Sequence, residues 1–155
     1  MRIDGPATGV AAECEAVLRT LPGWFGIESS LLQYVRDTEV LPTFVAREGQ
    51  SLLGFLTLRE HFAEAWEVHC IAVRASERGR GLGAALHAHV ERWLALRGAR
   101  VLQVKTMAAS CPSPEYAETR GFYSRIGYVA LEVFPELWGP RLPVLQLIKM
   151  LPAAV

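Results

Sequence analysis

The 155-residue sequence has no net charge, because 16 basic residues offset 16 acidic ones. This balance gives no electrostatic basis for a nucleic-acid or anionic-lipid partner. The chain also lacks any run of the roughly 18 apolar residues that a membrane span needs, and its first residues do not resemble a secretory signal. Apolar residues form 51% of it, which excludes a disordered protein. We therefore expect one cytoplasmic domain over residues 1–155.

Cysteine and lysine are scarce. The three cysteines, Cys14, Cys70 and Cys111, lie far apart without a CxxC spacing, so neither a disulfide framework nor a cysteine-based zinc site is predicted. The histidines show no metal-ligand spacing either, and we expect no metal. Only two lysines stand beside 14 arginines, so most cations are planar guanidinium groups suited to phosphate. The places where arginines cluster are therefore informative.

Apolar periodicity predicts ten secondary-structure elements. Helices are expected over 10–21, 27–38, 82–98 and 115–126, and strands over 43–47, 51–59, 65–73, 101–104, 128–134 and 144–150. No internal repeat or long linker interrupts this order. The order ααβββαβαββ is an α/β (α+β) pattern with a strand-to-helix crossover in its middle.

The most informative segment joins the third predicted strand to the third predicted helix. It reads Arg78, Gly79, Arg80, Gly81, Leu82, Gly83 and Ala84. Its glycines permit tight turns and a close backbone approach, and the amides of the first helical turn have no intrahelical partner. Those amides, the helix dipole and the two arginines favour an anion. We expect a phosphate or pyrophosphate here.

Glycine-rich turns of this kind have three other interpretations. A P-loop does not fit, because no Gly-Lys-Ser or Gly-Lys-Thr follows. A dinucleotide-binding turn fits poorly, because the chain offers Val101, Leu102 and Gln103 where an acidic residue would bind the ribose. A plain surface turn with exposed arginines is the structural alternative. The pattern favours a different phosphate-bearing cofactor.

The spacing Arg78-x-x-Gly81-x-Gly83, after a strand and before a helix, resembles the acetyl-CoA pyrophosphate signature of the GNAT superfamily of N-acetyltransferases. A second segment agrees. Residues 120–128 hold Phe122 and Tyr123 and end in Gly127-Tyr128, which is similar to the superfamily helix that carries Phe-Tyr and ends at Gly and an aromatic. The two motifs stand in the superfamily's order, and the resemblance covers residues 8–150.

The resemblance implies a single GNAT-like domain, in which a mixed central β-sheet with splayed middle strands is flanked by about four helices. It implies acetyl-CoA as co-substrate, with the pyrophosphate on the backbone amides of residues 78–84. The pantetheine arm would pair like a strand with Ile71, Ala72 and Val73. Tyr116 and Thr119 stand where the family often has Asn and Ala, which changes the pantetheine contacts, although the Thr119 hydroxyl offers one.

Catalytic roles also follow from the resemblance. Tyr123 matches the tyrosine that protonates the leaving CoA thiolate. An ammonium must lose a proton before it attacks a thioester, and Glu67 stands where the histone acetyltransferase branch keeps its general base. His69 is a second candidate base, and deprotonation through water is a third. Strand alternation predicts Glu67, His69 and Ile71 on one face of the sheet. The structural alternatives are a solvated glutamate and a hydrogen-bonded histidine.

The implied function is direct transfer of an acetyl group to a primary amine of a small molecule or protein. The alternative is a non-catalytic acyl-CoA-binding sensor or partner-binding module on the same fold. Trp24, Phe25 and Trp138 are expected either to line the acceptor pocket or to close the ends of the core. Glu28 and Glu136 are candidates to attract the amine. We expect no nucleic-acid or membrane partner, and either a monomer or a homodimer.

Overall fold

The computed structural model describes residues 1–154. Its helices are α1 (Ala11–Leu18), α2 (Glu28–Asp37), α3 (Leu82–Ala95) and α4 (Pro114–Arg125), and a 3-10 turn spans Ala75–Glu77. Its strands are β1 (Arg2–Asp4), β2 (Thr43–Glu48), β3 (Ser51–Phe62), β4 (Ala65–Val73), β5 (Val101–Met107), β6 (Val129–Phe134) and β7 (Val144–Met150). All seven strands form one sheet in the order β1-β2-β3-β4-β5-β7-β6.

The middle of the sheet is split. β4 and β5 run parallel, and their ladder joins Ala65–Val68 of β4 to Val101–Val104 of β5. After Val68 the end of β4 has no ladder partner on β5, so a wedge opens between the two strands. The predicted mixed sheet with splayed middle strands and four flanking helices is therefore confirmed.

Each face of the sheet carries its own hydrophobic core. On one face α3 packs through a buried stripe with the helical spacing Leu82, Leu86, Val90 and Leu94, and Tyr123 of α4 joins the same core. On the other face α1 and α2 cover a second core that includes Cys70 of β4. The wedge between β4 and β5 thus opens toward α3 and α4 on one side and toward α2 on the other.

The predicted elements differ from the structure mainly at their ends. β1 was not predicted, because its three residues carry two charged side chains and depend on pairing with β2. β5 continues to Met107, three residues beyond the predicted end, along its ladder with β7. α3 ends at Ala95, and Gly98 adopts a left-handed φ of 80° just beyond it, as is common after helices.

One expectation about β4 is wrong. Thr57 and Leu58 of β3 pair with Cys70 and Val68, so His69 is the extra residue of a β-bulge. The bulge reverses the alternation. Ile71 packs on the same core as Val68, whereas Glu67 and His69 face the other side. Strict alternation had placed Ile71 with Glu67 and His69, because a bulge has no signature in these residue types.

Candidate active site

A cleft of about 880 Å³ fills the wedge between β4 and β5. Most of the predicted site residues line it: His69, Ile71, Ala72, Val73, Arg78, Gly79, Gly81, Leu82, Gly83, Ala84, Thr119 and Tyr123. Glu67 and Arg80 do not belong to the lining. Beyond Val68 the cleft-side edge of β4 is unpaired, so alternate backbone amides and carbonyls there face the cleft.

The glycine loop presents free backbone amides at one end of the cleft. Gly79 and Gly81 hold left-handed φ angles of 79° and 80°, which residues with a Cβ seldom adopt. Gly81 precedes the first turn of α3, and no side chain caps that turn. Gly83 lies beside the Phe122 ring of α4, which a Cβ at this position would meet at 3.4 Å, an ordinary contact distance. This arrangement fits a bound phosphate group.

The two arginines of the loop are held by carboxylates. A guanidinium nitrogen of Arg78 lies 3.3 Å from a carboxylate oxygen of Glu118, and the guanidinium stacks 4.3 Å from the Trp24 ring centroid. Arg80 pairs with Glu77. Both arginines are therefore ordered beside the free amides, where an incoming anion can compete with the carboxylates for them.

Trp24 connects the segment between α1 and α2 to α4. Its indole Nε1 donates to Thr119 Oγ1 at 2.9 Å, and the Tyr116 hydroxyl donates to its carbonyl oxygen at 3.1 Å. The Thr119 hydroxyl in turn donates to the Glu115 carbonyl at 3.2 Å. Its hydrogen is thus used within α4, and only acceptor capacity is left for a ligand.

Tyr123 lies at the inner wall of the cleft and is 3% exposed. Its ring packs edge-on against Tyr128, with 5.2 Å between the ring centroids. Its hydroxyl donates to no residue of the described chain. Every fully buried side-chain polar atom there has a hydrogen-bond partner, so the Tyr123 hydroxyl is not fully buried. The hydroxyl therefore opens into the cleft. Burial raises the pKa of Tyr123 well above its ordinary value, which keeps the hydroxyl protonated.

Glu67 is buried behind the cleft with both oxygens engaged. His61 Nε2 lies 2.7 Å from Oε1, and Lys105 Nζ donates to Oε2 at 3.0 Å. A carboxylate with two such partners has little freedom to reach a substrate. In this structure Glu67 is thus part of an ion-pair cluster with His61 and Lys105.

His69 faces α2 and forms a pair with Asp37. Its Nε2 lies 2.7 Å from Asp37 Oδ2, while Gln33 donates to Oδ1 at 2.8 Å. Asp37 is 8% exposed, and the ring of Tyr34 lies 5.3 Å from the imidazole, so the pair is well fixed. Because a carboxylate only accepts, Nε2 carries a hydrogen, and Nδ1 is the nitrogen left to face a ligand. Nδ1 has no partner among residues 1–154.

Asp37, Tyr34 and Lys105 were not predicted. Asp37 and Tyr34 lie more than thirty residues before His69, and only the packing of α2 on β4 brings them together. Lys105 is the first residue of β5 past its ladder with β4. The expected amine-binding carboxylates are elsewhere: Glu28 pairs with Arg19 at 2.7 Å, and Glu136 does not line the cleft.

Cys70 also lines the cleft, but it is a poor nucleophile. Desolvation raises the pKa of its thiol well above the ordinary value, so the thiolate form is suppressed. Within residues 1–154 no group of three His, Cys, Asp or Glu side chains is placed to hold a metal ion. In the same part of the chain, none of the helices has the length and apolar character needed to cross a membrane.

The family of the chain follows from a match to the family model described as acetyltransferase (GNAT) family, which extends over residues 14–136. The chain therefore belongs to the GNAT acetyltransferase family. This match confirms the resemblance drawn from the glycine loop and the Phe122-Tyr123 helix. A search among curated proteins finds no match.

Solved structures share the fold at low sequence identity. A protein assigned to the GNAT acetyltransferases from Desulfovibrio desulfuricans is 18% identical with a TM-score of 0.86, and the alignment covers 97% of this chain and 99% of that one. The aminoglycoside 6'-N-acetyltransferase from Enterococcus faecium is 20% identical with a TM-score of 0.77, covering 100% and 99%. A GNAT acetyltransferase from Elizabethkingia anophelis with acetyl-CoA bound is 15% identical with a TM-score of 0.73, covering 97% of each.

Proposed function

We propose that this protein is an N-acetyltransferase that moves an acetyl group from acetyl-CoA directly to a primary amine. The observation that carries the proposal is the wedge between β4 and β5, which connects three groups in one cleft. The free amides after Gly81 lie at one end, and the hydroxyl of Tyr123 and the imidazole of His69 line its walls. An anion site, a proton donor and a base are the groups that acyl transfer from a thioester requires.

The residues of the cleft fit acetyl-CoA, which supplies an activated acetyl thioester when bound. The amides of residues 81–84 would hold the pyrophosphate, with Arg78 and Arg80 beside them. The unpaired edge of β4 at Ile71, Ala72 and Val73 would take the extended pantetheine arm by strand-like pairing. The presence of acetyl-CoA in a neighbouring GNAT structure supports this assignment.

We assign the general base to His69 in preference to Glu67. His69 lines the cleft with Nδ1 free, whereas both oxygens of Glu67 are held by His61 and Lys105. His69 Nδ1 would take a proton from the ammonium as Asp37 stabilises the resulting imidazolium. The amine nitrogen then bonds to the thioester carbon and the carbon–sulfur bond breaks. Tyr123 donates its proton to the departing sulfur. The nitrogen, which is positively charged after its attack, passes its second proton to the tyrosine oxygen, so the products are a neutral amide and the CoA thiol. The imidazolium of His69 then releases its proton to solvent.

Acetyl-CoA-dependent release of free CoA in the presence of a panel of primary amines tests this function. We expect amine-dependent CoA release, with Tyr123→Phe lowering kcat by at least about tenfold and leaving the dissociation constant of acetyl-CoA unchanged. Acetyl-CoA binding without amine-dependent release, in wild type and variant alike, would instead support the non-catalytic acyl-CoA sensor. Absence of acetyl-CoA binding would contradict both functions.

A further inference from the structure

The α2 side of the cleft has an apolar lining. Besides Ser30 and Lys105, the residues contributed there by the segment before α2, by α2 itself, by the end of β5 and by the loop between β6 and β7 are Phe25, Ile27, Tyr34, Met107, Trp138 and Leu142. Ile27 is 61% exposed and Trp138 is 43% exposed, so two large apolar side chains stand in solvent at the mouth of the cleft. Their apolar surface would leave water when an apolar molecule enters.

Negative charge is scarce on this side. Among the described residues, the carboxylates that line the cleft are Glu77 and Glu118, and both pair with arginines at the start of α3. Lys105 points to the α2 side, and its charge is matched by Glu67. Behind the lining, two carboxylates of the described chain face this side: Glu67 is held by His61 and Lys105, which leaves Asp37 to act on an ammonium through His69. The α2 side therefore offers one anionic group to an acceptor.

We infer that the acceptor is a small monoamine with an apolar body, aromatic or aliphatic, and that polycationic amines are poor substrates. This inference rests on the proposed function. A single ammonium would lie at His69, and the body would cover Phe25, Ile27 and Trp138. Every further ammonium on the acceptor would lose water against apolar walls without finding a carboxylate, which costs binding free energy.

The test compares phenethylamine and hexylamine with spermine and kanamycin in the CoA-release assay. We expect kcat/KM to be at least about tenfold higher for the two monoamines. Calorimetry of the same four amines with the CoA-loaded protein measures their order of binding without requiring turnover. Equal or stronger binding and turnover of the polycations would overturn the inference. Tighter binding of the monoamines with no turnover of any amine would support it and contradict the proposed transferase activity.

Matched charge variants test the same point from the protein side. Ile27→Glu places a carboxylate at the cleft mouth, and Leu96→Glu places one at an apolar position that is 75% exposed just after α3 and outside the cleft lining. Ile27→Glu should raise the kcat/KM ratio of spermine to hexylamine at least about fivefold, while Leu96→Glu should leave it at the wild-type value. The same ratio in both variants would overturn the inference.

Discussion

His69 is both the extra residue of the β4 bulge and the candidate base of the site. As the extra residue of the β4 bulge, it turns toward α2, where Asp37 binds its Nε2 and Tyr34 packs on its ring. In a regular strand His69 would pair with a residue of β3, as its neighbours Val68 and Cys70 do in this structure. The bulge leaves His69 on the α2 side with Glu67 and reverses the alternation after it, so that Cys70 joins the core under α1 and α2 while Ile71 packs on the core under α3.

The assignment of the base can be tested by substituting His69 and Asp37. His69→Ala should lower kcat about 100-fold or more, and Asp37→Asn should lower it about tenfold, because loss of the carboxylate leaves the imidazole less well oriented and its charged form less stabilised. The KM for acetyl-CoA should stay constant in both variants. Steady-state kinetics with the best amine of the panel measures these values.

Glu67→Gln is the control in the same assay. It keeps the size of the side chain and its contact with Lys105, so kcat should remain within about threefold of wild type. Asp37→Glu should restore part of the activity lost in Asp37→Asn. The opposite pattern, a large loss in Glu67→Gln with an active His69→Ala variant, would return the role of base to Glu67.

At the scale of single residues, part of the candidate site could be predicted from the sequence. The glycines of the loop and Tyr123 could be assigned because their motifs are local and stand in a recognisable order. Asp37 could not be assigned, because its role depends on the packing of two elements that are distant in the chain. Thr119 remains a candidate ligand of the pantetheine arm, now with its hydroxyl hydrogen directed to Glu115.

The start of α3 concentrates the features that favour an anion. The first turn carries no acidic residue and no capping side chain, and Gly81 turns the chain into the helix with a left-handed φ. At the other end of the helix, Gly98 has the same φ of 80°. At both glycines a Cβ would meet open space, so the two positions differ in their place on the helix but not in local crowding.

Because Gly81 and Gly98 have the same φ and equally open surroundings, they provide a matched pair of variants. Gly81→Glu and Gly98→Glu introduce the same backbone strain of roughly 1–2 kcal/mol, but only Gly81→Glu adds negative charge where the pyrophosphate is expected. We expect Gly81→Glu to weaken acetyl-CoA binding at least about tenfold and Gly98→Glu to bind as wild type does. Calorimetric titration with acetyl-CoA measures both. Equal affinities in the two variants would contradict the loop assignment.

Most helices and strands could be predicted because they have strong apolar periodicity. The stripe of α3 is a local signal of this kind. α4 begins at Pro114, one residue before its predicted start, and the Ser113 hydroxyl accepts from the Tyr116 amide at 3.3 Å. β1 and the bulge of β4 were missed because both are decided by pairing with another strand. The splay of β4 and β5 was expected from the family resemblance and not from periodicity.

At the scale of the whole molecule, a buried polar network joins α3 to the C-terminal half of the sheet. His87 Nε2 lies 2.7 Å from the Tyr128 hydroxyl, and its Nδ1 lies 3.0 Å from Glu91. Lys149 of β7 pairs with Glu91 at 2.9 Å. Desolvation lowers the pKa of His87, although Glu91 acts in the opposite direction.

This network predicts a pH dependence of folding stability. The folded state holds His87 neutral, and the unfolded state protonates it near its ordinary pKa of 6.5. The stabilisation is therefore complete above about pH 6.5 and is lost as the pH falls toward the lowered pKa, by at most about 1.4 kcal/mol per pH unit. The thermal unfolding midpoint of His87→Gln should fall less steeply between pH 7 and pH 5 than that of wild type.

His89→Gln on the same helix is the control. It stands two residues along α3, where its ring packs beside Phe44, with 5.8 Å between the ring centroids. This variant should keep the wild-type dependence of the unfolding midpoint on pH. If His87→Gln and wild type lose stability in parallel as the pH falls, the acid sensitivity arises from other groups.

The free edge of β4 lies in the middle of the sheet, where neighbouring elements enclose it. An unpaired strand edge at the rim of a sheet invites other chains to add to it and is a common cause of aggregation. Here α3 and α4 cover one side, α2 covers the other, and Trp24 spans between them. A second sheet cannot add to an edge enclosed in this way, so the geometry proposed to pair with the pantetheine arm also protects the protein from its own copies.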